Sequence, residues 1–330
     1  MKKLFIITAV LICSDVYSAG LGVRGAFTRN CFIGSEYIAS GRSCESYSDD
    51  VYSVYWNPAG LISIYNKKNL TADEIRKKAD KGEIEDISED DIRKMDDNSR
   101  KGFLQLGFTA SSIDIDRRSL FAASAFKFFN GVMAVGAYAI NSPDIETRDE
   151  SGNLTGKTSY TAAVASISYA FESKLANFGF TFKGLSENID GDAYYGAAGD
   201  AGAQFYILPI LKIGVVAQDL GLFMYGGSIE GDKYDFGSPL IRGGLSFSNA
   251  SRTVILSAST VRRLESDSFA FNMGFSYYMD SVSFMTGLAD KCLTAGAVIS
   301  ISGKYEFSYA FSVDPVDLGY NNSVSLSAVF

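Results

Sequence analysis

From residue 103 to the C terminus, apolar and polar side chains alternate with a period of two. In "YEFSYAFSV" the residues Tyr305, Phe307, Tyr309, Phe311 and Val313 fall on one face, and Glu, Ser and Ala fall on the other. The runs "SFAFNMGFSYYM" and "NSVSLSAVF" repeat the pattern. Because successive side chains of a strand point to opposite faces, the pattern predicts strands with one apolar face and one face of small polar residues.

The same alternation, followed along residues 102–330, predicts fourteen β-strands. Their starts are expected near Phe103, Ser119, Val132, Ser159, Leu175, Ala197, Leu211, Leu240, Thr253, Ser268, Val282, Leu293, Tyr305 and Ser323. Each strand with its connection has about sixteen residues, and a tilted strand needs about nine to eleven to cross a bilayer. The expected fold class is therefore all-β: a 14-stranded antiparallel transmembrane β-barrel.

Connections between the predicted strands alternate in length. The tight pair Asn130–Gly131 and the turns in "ESK", "LPI", "NAS", "MDS" and "SGK" are short, whereas residues 141–157, 186–196, 219–239 and 314–322 form long connections. Outer-membrane barrels keep their periplasmic turns short and their extracellular loops long. The alternation therefore predicts that both ends of the barrel lie in the periplasm of a diderm bacterium, with membrane lipid around the wall.

Two features at the chain ends agree with an exported barrel. Residues 1–18 have two lysines, an apolar run and small residues, which predicts a signal peptide cleaved after Ser18, with a lipoprotein signal at Cys13 as the alternative. The chain ends on Phe330, preceded by apolar residues at every second position, which resembles the signal that barrel-assembly machinery recognises. A soluble β-sandwich or propeller is the competing fold, but it would require a second inward-facing sheet pattern.

Composition excludes several kinds of chemistry. With no histidine, the chain cannot form a Ser/His/Asp or Cys/His site, or an imidazole zinc site. The glycine-rich "GDAGAQ" and "GLGVRG" lack a Walker lysine. A net charge of −8 disfavours nucleic acid as a partner. The sequence therefore predicts a protein that is not an enzyme and that uses no cofactor and no metal.

Three cysteines follow the predicted signal peptide. Cys31 and Cys44 are close in sequence and in an oxidising compartment, so we expect a disulfide between them. The alternative is that all three are unrelated small apolar residues. Cys292 is expected to be a buried or membrane-facing thiol.

Residues 66–101 differ from the rest of the chain because they are charged and have helical periodicity. Thr71 and Glu74 have the spacing of a capping box, and Ile75 and Ala79 share a face. We expect a charged helical insertion, with a flexible acidic linker as the alternative.

The segment "SDDVYSVYWNPAGL" holds the single tryptophan, Trp56, just ahead of the insertion. Ser48 is expected to cap a short helix, which Pro58 ends because the residue before proline is disfavoured in helical geometry. Taken alone, this is only a helix stop.

Ahead of fourteen strands, "DDVYSVYWNPAGL" resembles the N-terminal hatch of the FadL family of outer-membrane transporters for long-chain fatty acids and other hydrophobic compounds. The segments "GDAGAQFY", "LKIGVVAQDLG" and "PLIRGGLSF" are similar to mid-barrel segments of the FadL-like and PorV-like branch. The resemblance implies that residues 19–65 plug the barrel. It assigns the plug motif to Trp56, Asn57, Pro58, Ala59, Gly60 and Leu61.

Three functions follow from this resemblance. The first is a plugged channel for hydrophobic small molecules, and the second is a PorV-like barrel that docks periplasmic or secreted proteins through the insertion. An open porin is the third, and it is disfavoured because the plug would obstruct it and because the small polar face lacks opposed rows of charge. For the channel, the connection 219–239 is expected to be an extracellular loop whose apolar residues capture ligand: Leu220, Leu222, Phe223, Met224, Tyr225 and Phe236.

Overall fold

The architecture is described from a computed structural model. It covers residues 27–28, 31–64, 103–113, 116–208, 210–227, 234–249, 251–264, 268–279, 281–313 and 319–330. The predicted signal peptide, residues 1–18, and the predicted insertion, residues 66–101, lie outside these ranges. Among the described helices, none has the length and apolar character needed to cross a membrane.

The described strands form one antiparallel sheet that closes on itself. Their bounds are β1 Leu104–Ile113, β2 Arg117–Phe128, β3 Gly131–Arg148, β4 Leu154–Ser173, β5 Ala176–Ile189, β6 Asp192–Leu208, β7 Leu211–Gly226, β8 Tyr234–Phe236, β9 Leu240–Ser248, β10 Val254–Arg263, β11 Ser268–Tyr278, β12 Val282–Ala289, β13 Cys292–Ile301, β14 Tyr305–Val313 and β15 Tyr320–Val329. Each strand pairs with the next, except that β7 pairs with both β9 and the short β8. Closure occurs between β1 and β15, where Gln105 lies opposite Val329. The predicted barrel of fourteen strands is confirmed, with β8 as a short addition.

The two faces of the wall differ as the alternation predicts. On β11, Phe271 is 68% exposed on the outside, whereas Asn272 and Ser276 are 5% and 2% exposed on the inside. The same division runs along β14 and β15, where serines point inward and aromatic or aliphatic side chains point outward. A continuous apolar belt of this kind is stable when lipid surrounds it, so the wall has the character of a membrane-spanning barrel.

The wall is taller on one side than on the other. We call the end where β1 starts and β15 ends the inner end, and the opposite end the outer end. Strands β3–β7 have 14 to 20 residues, and β9–β15 have 8 to 11. The extra residues extend the outer end into paired arms.

These arms correct two predicted loops. Residues 141–157 and 186–196 were expected to be long connections, but most of their residues continue β3–β6 and pair with each other. The turn between β5 and β6 is only Asp190 and Gly191, at φ 54° and 89°, a left-handed geometry that allows a tight reversal. The burial of successive residues alternates less clearly in the arms than in the belt.

Residues 31–64 fold inside the barrel as a hatch. Its elements are α1 Ser35–Ala39, α2 Ser53–Trp56 and a 3₁₀ turn, Pro58–Leu61. Pro58 ends α2 as predicted and is the first residue of the 3₁₀ turn. The next backbone N–H, that of Ala59, donates to Asn57 Oδ1 at 3.1 Å. Ser48 does not cap α2, because that helix begins only at Ser53. The carboxylate of Asp50 instead accepts from Tyr52 N at 2.9 Å.

The apolar core of the molecule is formed by the hatch together with inward residues of the wall such as Phe121 and Tyr138. The Trp56 ring is 1% exposed, packs edge-on against Tyr55 with centroids 5.0 Å apart, and donates from Nε1 to Ile33 O at 2.8 Å. Tyr37 packs against the other side of Trp56 at 6.3 Å. A barrel with small inward side chains would otherwise enclose a wide space, and the aromatic hatch fills it.

The orientation of the barrel can be tested with surface tags. A peptide tag inserted between Ser151 and Gly152, in the β3–β4 turn, is expected to bind antibody on intact cells because this turn ends the tallest arm. The same tag between Asn249 and Ser251, in the β9–β10 turn, should react only after the outer membrane is permeabilised. Both variants must retain the gel shift between heated and unheated samples that marks a folded barrel, and reversed labelling would contradict the orientation.

Candidate functional site: the hatch and the outer vestibule

Asn57 joins three parts of the structure. Its side chain is fully buried, and its Nδ2 donates to the carbonyls of Glu45 in the hatch at 2.6 Å and Ala203 on β6 at 3.2 Å. Its Oδ1 accepts from Ala59 N. A side-chain amide supplies two N–H donor atoms and a carbonyl acceptor in one group, which suits asparagine to this position of the motif.

Glycines in the wall allow this close approach. A Cβ at Gly202 would lie 2.1 Å from Asn57 Oδ1, and one at Gly179 would lie 2.3 Å from the carbonyl carbon of Pro58. At Gly214 it would lie 2.1 Å from Glu45 O. Sequence reasoning missed these three positions, although glycine within a strand marks a close approach of backbone.

Polar side chains of the wall satisfy backbone groups of the hatch. The Thr294 hydroxyl donates to Ala39 O at 2.8 Å and accepts from Gly41 N at 3.1 Å, and Gln218 Nε2 donates to Tyr55 O at 2.7 Å. Contacts of the same kind join Thr109 to Gly34, Ser325 to Ser35, and Gln204 to Ser48. The hatch is therefore held by many hydrogen bonds that are each individually modest.

A cavity of about 250 Å³ lies on the outer side of the hatch, and we call it the outer vestibule. Its floor is formed by the hatch residues Cys31, Phe32, Arg42, Tyr55 and Trp56, and its walls include Ile113, Ile140, Leu240, Val261 and Val313. Apolar and polar surfaces both line the cavity, and Trp56 of the plug motif forms part of its floor.

Charge in the outer vestibule comes mainly from arginine. Arg42, Arg117 and Arg242 line it, with Asp290 as the one acidic residue among the described lining residues. The guanidinium of Arg42 lies 4.3 Å above the Phe32 ring, and that of Arg242 lies 5.4 Å from the Trp56 ring. Aromatic faces favour cations at these distances.

Arg242 also connects the wall to the hatch. Its Nε donates to Gln218 Oε1 at 2.7 Å, and its Nη1 lies 3.6 Å from Glu45 Oε1, an ion pair longer than a hydrogen bond. Glu45 is fully buried, and burial raises the pKa of its carboxyl above the ordinary range, while the charge of Arg242 opposes this rise.

A second charged cluster lies where β7 bulges. The Lys183 ammonium pairs with Asp200 at 2.7 Å and with Asp219, and the Asp219 carboxylate accepts from the Thr28 hydroxyl at 2.8 Å. Asp219 has φ 59°, and the β6–β7 register shifts beside it. The cluster ties the start of the hatch to the wall. Among the described residues there is no group of three His, Cys, Asp or Glu positioned to hold a metal ion.

The predicted disulfide is absent from the structure, where Cys31 and Cys44 are both free and buried. The Cys31 thiol lies beside the carbonyls of Phe27 and Thr28, each 3.4 Å from Sγ, and burial raises its pKa to about 12. Cys44 begins the turn that contains Glu45. Closeness in sequence does not bring the two thiols together because α1 and the following turn separate them. Cys292 is partly exposed and lines the outer vestibule.

The expected capture loop is also corrected. Residues 220–225 belong to β7 and Phe236 to β8, so their side chains alternate across the wall. Leu222 and Met224 are 1% exposed, whereas Leu220, Phe223, Tyr225 and Phe236 are 38% to 58% exposed on the other face. The structure does not gather the six residues into one apolar loop, because the second half of the segment folds back as β8.

Comparison with known proteins gives similarity in fold. No family model matches the sequence, and no curated protein matches it. Among solved structures, the toluene transporter TodX of Pseudomonas putida aligns over 90% of this chain and 96% of its own, with 11% identity and a TM-score of 0.58. The toluene transporter TbuX of Ralstonia pickettii covers 90% and 96%, with 14% identity and a TM-score of 0.52. A FadL homologue of Pseudomonas aeruginosa covers 90% and 98%, with 9% identity and a TM-score of 0.52.

The glycine contacts give a matched pair of substitutions. Gly202→Ala should push the hatch from the wall at a cost of roughly 1–3 kcal/mol, because its Cβ would overlap Asn57. Gly243→Ala on β9 adds the same methyl where nothing lies within 4 Å, and should be silent. In a background without Cys31 and Cys292, alkylation of the buried Cys44 thiol measures the opening of the hatch. Equal alkylation rates in the two variants would contradict the close fit.

Proposed function

We propose that the chain is an outer-membrane channel through which hydrophobic small molecules, of the long-chain fatty acid class, cross a plugged barrel. The observation that carries this proposal is the position of the outer vestibule: a cavity with apolar wall residues such as Ile140, Leu240 and Val261 that ends on the hatch. The shared fold of this chain with toluene transporters and a FadL homologue supports it. The proposal assigns the chain no catalytic role.

Hydrophobic substrates suit this arrangement physically. A molecule that leaves the water for the outer vestibule gains about 25 cal/mol for each Å² of apolar surface removed from solvent. The hatch then blocks further movement, since Asn57 and the wall amides hold its backbone. Passage therefore requires a local displacement of the hatch, which is feasible because each hydrogen bond contributes only about 1 kcal/mol net.

The two competing functions make different demands. An open porin would require a continuous aqueous path, and the hatch core around Trp56 occupies the interior where that path would run. Docking of a periplasmic or secreted protein would depend on residues 66–101, which lie outside the described residues, and it stays a prediction. Recognition of Phe330 by barrel-assembly machinery likewise stays a prediction.

Uptake measurements test the proposal directly. Cells that lack their own channel of this kind should take up labelled long-chain fatty acid when they express this protein. Purified barrels in planar bilayers should show little steady conductance. Absence of uptake by a correctly folded barrel would contradict the channel function, and large steady conductance would favour a porin.

A polar group in the outer vestibule should impair uptake. Ile140→Asn replaces a 6% exposed side chain in the vestibule wall, and we expect uptake to fall several-fold because the cavity loses apolar surface. Ile145→Asn makes the same change on the same strand at a side chain that is 39% exposed, outside the vestibule, and should leave uptake unchanged. A similar loss in both variants would remove the vestibule from the path.

Of the expected capture residues, we propose that Phe223 and Phe236 still contribute to ligand capture. They pair across β7 and β8 near the outer end and are 41% and 58% exposed, so they form a small aromatic surface. Leu222 and Met224 are buried and have a packing role instead.

Substitution separates these two roles. Phe223→Ser with Phe236→Ser should lower uptake at low substrate concentration while the barrel stays folded, because each exposed ring adds roughly 1.5–3 kcal/mol of apolar contact when a ligand covers it. Phe269→Ser with Phe271→Ser, on the outer face of β11, serves as the control for lost lipid-facing aromatics. Normal uptake by the Phe223 and Phe236 variant would exclude this surface from capture.

A further inference from the structure

Three neighbouring turns at the inner end of the barrel expose large apolar side chains. Phe129 lies in the β2–β3 turn and Leu175 in the β4–β5 turn, and each is 79% exposed. Ile207 and Leu208 end β6, just before the β6–β7 turn, and are about half exposed. We call these four residues the inner apolar rim. Exposed apolar side chains grouped in this way mark an interaction site.

The turns on the other side of the same end are polar. Ser251 lies in the β9–β10 turn, Ser281 in the β11–β12 turn and Ser302 in the β13–β14 turn, and all three are exposed. Lipid that surrounds the barrel meets the turns of both sides, so lipid alone gives no reason for the difference. The inner apolar rim therefore calls for an occupant that is present on one side only.

The described part of the hatch ends on the side of the inner apolar rim. Ser63 Oγ lies 3.4 Å from the hydroxyl of Tyr206, which accepts from Asn177 Nδ2 at 2.9 Å. Asn177 follows Leu175 by two positions, and Tyr206 directly precedes the rim residues of β6. The chain therefore leaves the hatch beside the β4–β5 and β6–β7 turns.

The chain also returns to the wall on this side. Leu104 at the start of β1 lies opposite Phe126 of β2, three residues before Phe129. Strands β1 and β6 are five strand spacings apart in the sheet, about 24 Å, and the rim turns lie between them. The insertion, residues 66–101, is long enough to cross this distance, because 36 residues span about 54 Å even as a continuous helix.

Each of these two points has a buried acceptor that lacks a donor. Among the described residues, Asn177 Oδ1 and Gln105 Oε1 have no hydrogen-bond partner. Asn177 lies beside the end of the hatch, and Gln105 is the second residue of β1. Buried acceptors are normally satisfied, so both points favour further chain packed against the inner end.

The sequence of the insertion complements this surface. Ile84 and Ile87 are three positions apart, as are Ile92 and Met95, which is the spacing of neighbours on one helix face. The run 83–91 holds six acidic residues and no basic one. On the barrel, Lys174 is exposed next to Leu175. Apolar pairs joined by acidic residues therefore match apolar turns that include a lysine.

We propose that the insertion, residues 66–101, docks on the inner apolar rim, with its apolar pairs covering the rim and its acidic run facing Lys174. Both of its ends are tethered beside the rim, so its effective concentration there is on the order of millimolar, and it is favoured over a separate partner. Docking also restrains the C-terminal end of the hatch, from which the insertion starts. The contact is independent of the proposed channel function, because it involves neither the outer vestibule nor a transported molecule.

Thiol accessibility measures whether the rim is covered. Ser173→Cys places a reporter two positions before Leu175, and Ser281→Cys places a matched reporter on the polar side, where the native serine is also exposed. The full chain with Cys292→Ser is reconstituted in nanodiscs of phosphatidylethanolamine and phosphatidylglycerol and treated with a polyethylene glycol maleimide. We expect the Ser173→Cys thiol to react about tenfold more slowly than the Ser281→Cys thiol, since labelling requires the insertion to open locally.

Substitution within the insertion distinguishes it from lipid as the occupant. When Ile84, Ile87, Ile92 and Met95 are all replaced by serine, the Ser173→Cys thiol should react as fast as the Ser281→Cys thiol. If it stays slow, lipid covers the turns and the proposal is wrong. Equal rates at the two reporters with the native insertion would mean an uncovered rim and would also overturn the proposal. Each variant must keep the heat-dependent gel shift of a folded barrel.

Disulfide trapping gives the position of the insertion independently. Ser88→Cys, within the acidic run, is combined with either reporter under mild oxidation. The bond to Ser173→Cys should form several-fold faster than the bond to Ser281→Cys, because docking holds the insertion on one side. Equal rates would mean that the insertion samples both sides, which contradicts docking. Neither measurement uses a transported substrate, so failure here leaves the proposed function standing, and failed uptake leaves this contact standing.

Discussion

The structure depends on satisfying the backbone polar groups of a hatch that is buried inside a barrel. Short helices and turns pair part of the backbone N–H and C=O groups of residues 31–64 within the hatch, and other groups, such as the N–H of Ser35 and the C=O of Tyr55, need partners from the wall. Each unpaired buried group would cost about 1–3 kcal/mol. The inner face supplies the missing partners through side chains such as Thr294, Gln218 and Ser325. This requirement explains why the inner face is rich in hydroxyls and amides.

The same constraint accounts for the small size of the inward side chains. Backbone-to-wall hydrogen bonds require the hatch to approach the strands closely, and at Gly179, Gly202 and Gly214 any side chain would block that approach. The outer face has no such restriction and carries many large apolar side chains, which lipid accommodates. The amphipathic pattern of each strand thus reflects two different environments, a polar backbone on one side and hydrocarbon on the other.

The proposed function depends on the outer vestibule, where the hatch is no longer packed tightly against the wall. Above Trp56 the hatch no longer fills the barrel, and the remaining cavity has apolar walls and arginine side chains. Arg242 belongs both to this cavity and to the contact with Glu45.

The sequence by itself determined the features that depend on neighbouring residues. Alternation at a period of two located the fourteen barrel strands and assigned Phe271 and Ser276 to opposite faces. Pro58 located the end of α2. These features are local, since a strand or a helix stop is encoded within a few positions.

Only the tertiary structure decided features that join distant residues. Arg42 and Arg242 line one cavity although 200 positions separate them, and the need for glycine at positions 179, 202 and 214 is explained only by the hatch residues that each one contacts. The free thiols of Cys31 and Cys44 and the alternation of Leu222 with Phe223 also escaped prediction. In each case the environment of the residue is set by residues that are distant in sequence and adjacent in the fold. The pattern of apolar and polar residues along the chain does not identify those neighbours.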